Sequence, residues 1–184
     1  MEVSTSASKN KTLTFQILVL GTEASGKSTF IRQMCQLSCP TLTTEEKRIY
    51  KKFVYRNIFV AVQTVASEME KRQIPFQNPE NQQNLNTISE IDVESLIILE
   101  TLHSDAIKAI LEDGAFTECF ADRKKYSVPE SAQYFFAEID RLSDANYLPT
   151  EQDILHVYIP TNRKTEYLFR IREFESRYWD LYYL

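Results

Sequence analysis

Glycine is scarce in this chain. Only three occur in 184 residues, and two of them, Gly21 and Gly26, share one short loop. Six prolines and no periodic repeat exclude a collagen-like or low-complexity chain. A basic excess is also lacking: 21 Lys and Arg face 26 Asp and Glu, for a net charge of −5 and a pI of about 5.2. That argues against a broad nucleic-acid footprint, which needs a basic surface. Histidine is nearly absent, with two residues, and the three cysteines are Cys35, Cys39 and Cys119. Cys35 and Cys39 are four apart, but a zinc site needs further ligands that so few histidines do not supply, so a structural role is expected for all three. Their odd number, without a signal peptide, favours a reducing, intracellular setting. No apolar run approaches the roughly 20 residues of a membrane span. Residue 2 is Glu, which excludes N-myristoylation through a second-position glycine. The first cysteine lies at Cys35 in an expected helix, so N-terminal palmitoylation is not expected. What remains is a 43% hydrophobic, globular composition, enough for one domain or two small ones with a real core.

Residues 1–12 are polar and Ser/Thr-rich, and are expected to be a flexible N-terminus. "LTFQILVL" (Leu13–Leu20) reads as a mostly buried strand. From Gly26 to about Leu37 the pattern turns helical. Thr43 and Glu46 form a capping box. Behind them Tyr50, Val54, Ile58, Val62, Val65 and Met69 recur on one face until Pro75 stops the run. That predicts a helix of about 28 residues, some 42 Å long. "NPENQQNLN" reads as a polar loop. Shorter helices are expected at Ile91–Leu102, His103–Asp113, Ala115–Arg123, Pro129–Leu142 and Glu151–Leu155. The aromatic tail alternates, with strands Tyr167–Ile171 and Phe174–Leu181 joined by a turn at Arg172-Glu173. A helical block of about 110 residues between strand elements reads as an inserted second domain.

The loop between the first strand and the first helix carries the chemistry. Gly21-Thr22-Glu23-Ala24-Ser25-Gly26-Lys27-Ser28 fits G-x-x-x-x-G-K-[ST], in the strand-before, helix-after context the motif requires. Phosphate oxygens need convergent donors without side-chain clash. Two glycines let the backbone turn its N–H groups inward, and the helix that follows offers unpaired N–H groups and its positive dipole end. Lys27 would reach the β- and γ-phosphates, and Ser28 would give a hydroxyl to Mg²⁺. The alternative is a plain glycine turn with Lys27 solvated. The loop by itself does not choose between guanine and adenine.

The segments "SGKSTFIRQM", "YRNI", "MEKRQIPF", "ILEDGAFTECF", "YSVPESAQYFF" and "IDRLSDANYLPTEQDIL", followed by Thr161, stand in order from about Leu13 to Asp180. In this the chain resembles the alpha subunit of heterotrimeric G proteins. The resemblance implies an α/β P-loop (Ras-like) GTPase fold, here with an incomplete sheet, and a large inserted all-α helical domain. The implied domains are a Ras-like part at 13–40, the helical insert at 41–155, and switch I with a strand hairpin at 156–184. It implies GTP/GDP and Mg²⁺ as ligands, with Ala24, Ser25, Gly26, Lys27, Ser28 and Thr29 around the phosphates. Glu130 and Ser131 stand where the family has an Asp-Ser pair near the nucleotide. Leu155, His156, Val157, Tyr158, Ile159, Pro160 and Thr161 would form the linker and switch I. Ser28 and Thr161 would ligate Mg²⁺, and Asp180 matches an acid that holds it through water. Partners implied are βγ, a receptor and effectors, in the cytoplasm and peripherally at the inner face of the plasma membrane.

The departures fall on the catalytic parts. The family reads L-R-x-R-x-x-T after "QD"; here the second Arg, the finger that neutralises transition-state charge, is Tyr158. Such fingers are worth about 10³–10⁵ in rate. The family's loop Glu that pairs with this Arg is Ala24, so both halves of one ion pair are replaced together. After Asp180 the family has Val-Gly-Gly-Gln, where this chain has Leu181-Tyr182-Tyr183-Leu184. The guanine-reading N-K-x-D element and the docking helices for receptor and βγ have no counterpart. Hydrolysis is therefore expected to be weak or absent, with no catalytic residue assigned. The expectation is a G-protein-alpha-like transducer in receptor signalling. A non-catalytic module acting through its helical domain is the alternative. An unrelated P-loop kinase or ATPase fits the ordered segments least. Thr41–Leu155 is expected to be the stable part and the sheet marginal.

Overall fold

The computed structural model describes residues 13–21, 25–38, 42–92, 99–159, 165–170 and 177–183; at 13–18, 38 and the two later strand segments it is the main chain that is described. The chain divides into two compact units. One comprises Met1–Thr41 with Pro160–Leu184, the other Leu42–Ile159.

In the first unit β1 (Leu13–Val19) leads through the glycine loop into α1 (Lys27–Ser38). Two further strands, β2 (Thr165–Arg170) and β3 (Arg177–Tyr183), complete a three-stranded sheet in the order β1-β3-β2. β1 runs parallel to β3, with Phe15 opposite Trp179 and Val19 opposite Tyr183. β2 is antiparallel to β3, with Thr165 opposite Tyr183 and Arg170 opposite Tyr178. This register corrects the expected turn. A two-residue turn at Arg172-Glu173 would bring Arg170 opposite Glu175, which is not the pairing seen; the connecting residues 171–176 lie outside the described set.

The second unit is helical. Its spine is α2 (Thr44–Lys71). The capping box forms as a reciprocal pair: the Glu46 N–H donates to Thr43 Oγ1 at 3.3 Å, and the Thr43 N–H donates to Glu46 Oε2 at 2.8 Å. The far end closes with Gln73 in the left-handed region at φ 57° and the Ile74 N–H on Met69 O at 2.9 Å. This is a Schellman-type stop that places Pro75 beyond the last turn. Along α2 the side chains of Val54, Tyr55, Ile58, Phe59, Val62 and Val65 are wholly buried. They meet Ile107, Ile110, Phe116, Phe135 and Leu142 in one core.

Around α2 stand α3 (Glu80–Ser89), α4 (Thr101–Leu111), α5 (Gly114–Ala121), α6 (Ser131–Ala137), α7 (Ile139–Leu142) and α8 (Glu151–His156). Three sequence expectations are corrected here. The stretch "NPENQQNLN" is not a loop: most of it is α3, opened by Pro79, which needs no N–H at a helix start. Buried Asn81 fixes this helix by donating to Ala109 O (3.1 Å) and Asp113 Oδ2 (3.0 Å). The expected helix at Ile91–Leu102 is not one element, since Ile91, Asp92, Leu99 and Glu100 are non-helical and residues 93–98 lie outside the described set. The expected helix at Pro129–Leu142 breaks at Glu138, whose φ of −103° ends α6 before α7 begins.

One buried carboxylate ties three elements together. Asp113 caps α5 by accepting from the Ala115 N–H at 3.0 Å, and it also accepts from the N–H groups of Gln77 (3.2 Å) and Asn78 (3.0 Å) and from Asn81. Burial pushes its pKa up, but these donors outweigh it and the net direction is down.

Candidate functional site: the glycine loop and the end of the helical unit

Ser25 and Gly26 lead directly into α1, whose first residues are Lys27, Ser28 and Thr29. Gly26 has φ +84°, a conformation that glycine adopts without the Cβ penalty other residues carry. Gly21 is fixed by closeness instead: a Cβ there would stand 2.5 Å from Ser25 Oγ. Gly21 and Ser25 thus lie close together. The Lys27 ammonium folds back towards them, donating to Gly21 O at 2.6 Å and to Ser25 Oγ at 3.2 Å. A cation thus stands beside the start of a 12-residue helix, where the helix dipole favours an anion. Ala24 lies outside the described residues, as do Pro160 and Thr161.

The other expected site residues belong to the second unit. Glu130 immediately precedes α6 and pairs at 3.5 Å with Lys124, both side chains highly exposed, so the pair contributes little. Ser131 opens α6, and its Oγ is buried with no partner among the described residues. Leu155 and His156 end α8, and Val157, Tyr158 and Ile159 continue as non-helical chain. α6 and α8 meet where Tyr134 stacks on His156, with ring centroids 4.0 Å apart and planes at 14°. The burial that this entails moves the His156 pKa down, against an opposing pull from Asp153.

Two side chains that no expectation singled out organise this region, one of them the capping-box partner of Thr150 at the start of α8. Asp153 is completely buried. It accepts from Arg141 Nη2 (2.7 Å) and Nη1 (3.0 Å), Tyr134 OH (2.7 Å), Tyr147 OH (3.1 Å) and the Thr150 N–H (2.8 Å). Burial raises its pKa, but the Arg141 guanidinium, the Thr150 N–H and the Tyr134 hydroxyl prevail and hold it at about 2. The same contact, with burial leading, pushes the Tyr134 phenol up to about 12. The bond to Asp153 raises the Arg141 pKa as well. Asn57, on the buried face of α2, is the second. Its Nδ2 donates to Tyr158 O at 2.8 Å, and its Oδ1 accepts from the Tyr158 N–H at 2.6 Å. Beside it Val157 is 1% exposed and its N–H donates to Asp153 O at 3.0 Å. For Asn57 the available signal was an amide at a core-facing helical position.

A family model described as the G-protein alpha subunit matches residues 1–182. The chain belongs to the G-protein alpha subunit family. As a member it is a G-protein-alpha-like signal transducer, from a family that binds GTP and GDP with Mg²⁺ and works with βγ, receptor and effector partners. The family's architecture is a Ras-like GTPase domain joined to a helical domain. In this G-protein alpha chain no helix among the described residues is long and apolar enough to cross a membrane.

Proposed function

We propose that this G-protein alpha chain binds a guanine nucleotide through Ser25–Thr29 and turns it over slowly or not at all. The observation that carries the reading is the glycine loop with its lysine. Gly26 at φ +84° and Lys27 Nζ at 2.6 Å from Gly21 O put a glycine conformation and a cation where a phosphate-binding loop needs them. Phosphate oxygens would replace the Gly21 carbonyl and Ser25 hydroxyl as partners of Lys27. Ser28, one residue on, would present its hydroxyl to Mg²⁺, joined by Thr161. The bound ion would supply charge neutralisation at the β- and γ-phosphates. Glu130, Ser131 and Leu155–Pro160 complete the nucleotide contacts in this reading, supported by their match to the family's segments.

Slow turnover rests on Tyr158 and Ala24. A phenol carries no positive charge at neutral pH, so it does not neutralise the transition state as an arginine does. The test is binding of fluorescent GTP and ATP analogues, with and without Mg²⁺, to the wild type and Lys27→Ala. Mg²⁺-dependent binding of the GTP analogue to the wild type alone is expected. Equal, Mg²⁺-independent signals for both proteins would refute the reading.

A second reading is favoured by the self-contained core of Leu42–Ile159: a partner-binding module in which the loop is silent. An unchanged partner complex with Lys27→Ala would support it, and loss of that complex would count against it.

A further inference from the structure

We propose that Asn57 is a positioning residue for the nucleotide site, acting through the main chain of Tyr158; this rests on the nucleotide reading above. The carboxamide carries a donor and an acceptor side by side, at nearly the spacing of the N–H and C=O of one residue in an extended strand. Asn57 uses both on a single residue, 2.8 Å to Tyr158 O and 2.6 Å from the Tyr158 N–H. It thus substitutes for a neighbouring strand where no strand is present among the described residues. Asn57 itself is 7% exposed and sits between Tyr55 and Ile58, which are wholly buried, on the 28-residue α2. The anchor is therefore rigid. Val157, seated in the core, and Ile159, packed against it, flank the clamp.

The consequence is an anchored end of the unit. The helical unit ends at Ile159, and Tyr158, one residue earlier, has its main chain held on both its N–H and its C=O by one side chain. Asn57 therefore holds the main chain at the end of the unit. In the proposed function Tyr158 belongs to the linker, so the clamp would set how firmly the linker is held. Only an amide matches both main-chain groups: leucine has the volume without the bonds, and aspartate keeps the acceptor but turns an oxygen on the Tyr158 carbonyl.

The test uses the full chain loaded with a fluorescent GDP analogue. It compares Asn57→Leu and Asn57→Asp with Val65→Ala, which trims the core face of the same helix without touching the linker. Nucleotide release is measured alongside the thermal midpoint and hydrogen exchange at the Tyr158 amide. The Asn57 variants should expose the Tyr158 amide and speed release about tenfold, the scale of an ordinary coupling between sites. Val65→Ala should lower the midpoint and leave release within about twofold of wild type, below that coupling scale. Should Asn57→Leu fail to fold, the more polar Asn57→Asp carries the comparison. A freed Tyr158 amide with unchanged release overturns the positioning role while the nucleotide reading stands. Equal acceleration by Val65→Ala also overturns it, because the effect would then be general stability. A wild type that takes up no nucleotide overturns both.

Discussion

The helical unit and the sheet unit differ in how their described residues are held. In the helical unit large apolar side chains vanish from solvent, and its buried carboxylates, Asp113 and Asp153, are saturated with donors. In the sheet unit only Ile31 is buried among the residues whose burial is described, while Leu20, Phe30 and Leu37 are 63%, 47% and 83% exposed. Its strands are paired by main chain, and its distinctive groups are small or polar: two glycines, a serine and a lysine at a helix start. Burial resists substitution residue by residue, whereas a phosphate loop depends on backbone shape and a single cation.

The contrast can be broken at its strongest point. Arg141→Ala leaves the Asp153 carboxylate buried without its cation, and such a loss costs about 3–5 kcal/mol. Because the Arg141 side chain is 38% exposed, we expect about 3 kcal/mol, at the low end of that range, read by denaturant unfolding of the helical signal. Acid probes the same group next. Its folded pKa lies near 2, below the ordinary 3.8, so its contribution is complete above about pH 4 and lost as pH falls towards 2. That contribution is about 2 kcal/mol. Helical circular dichroism from about pH 5 to 2 should show it, and Asp153→Asn should flatten that part of the curve. Thr43→Ala removes the cap of α2 and should cost about 1 kcal/mol, seen as a small drop in the thermal midpoint. Lys27→Ala should change stability by less than about 0.5 kcal/mol while abolishing phosphate-dependent binding in a filter or fluorescence assay. A large stability loss from that last change would erase the contrast between the units.

The same contrast explains what could be read in advance. The start and length of α2 were legible because a capping box, a 3.6-residue apolar period and Pro75 all agree. α3 was not, because its Asn- and Gln-rich stretch has few apolar residues; Asn81, Asp113 and the carbonyl of Ala109 hold it, and these come together only in three dimensions. The break at Glu138 was hidden for the same reason, since residues on both sides of it are apolar and periodic. In the site, Gly21, Gly26, Lys27 and Ser28 announced themselves by spacing. Asn57 did not, since an amide in "YRNI" acquires meaning only from Tyr158, far along the chain; Asp153 is locally a cap residue after Thr150, but its ties to Arg141 and Tyr134 come from other helices. Among the expected contacts, Ala24, Pro160 and Thr161 fall outside the described residues.

The clamp between Asn57 and Tyr158 also has a kinetic meaning. Its partners are 101 residues apart in sequence, so in folding it can close only after most of the helical unit has collapsed between them. Its two hydrogen bonds close that long loop of the helical unit, so losing them removes a long-range constraint. With Val157 seated in the core beside it, the end of the helical unit can reopen only together with part of that core, so its opening is a step of partial unfolding.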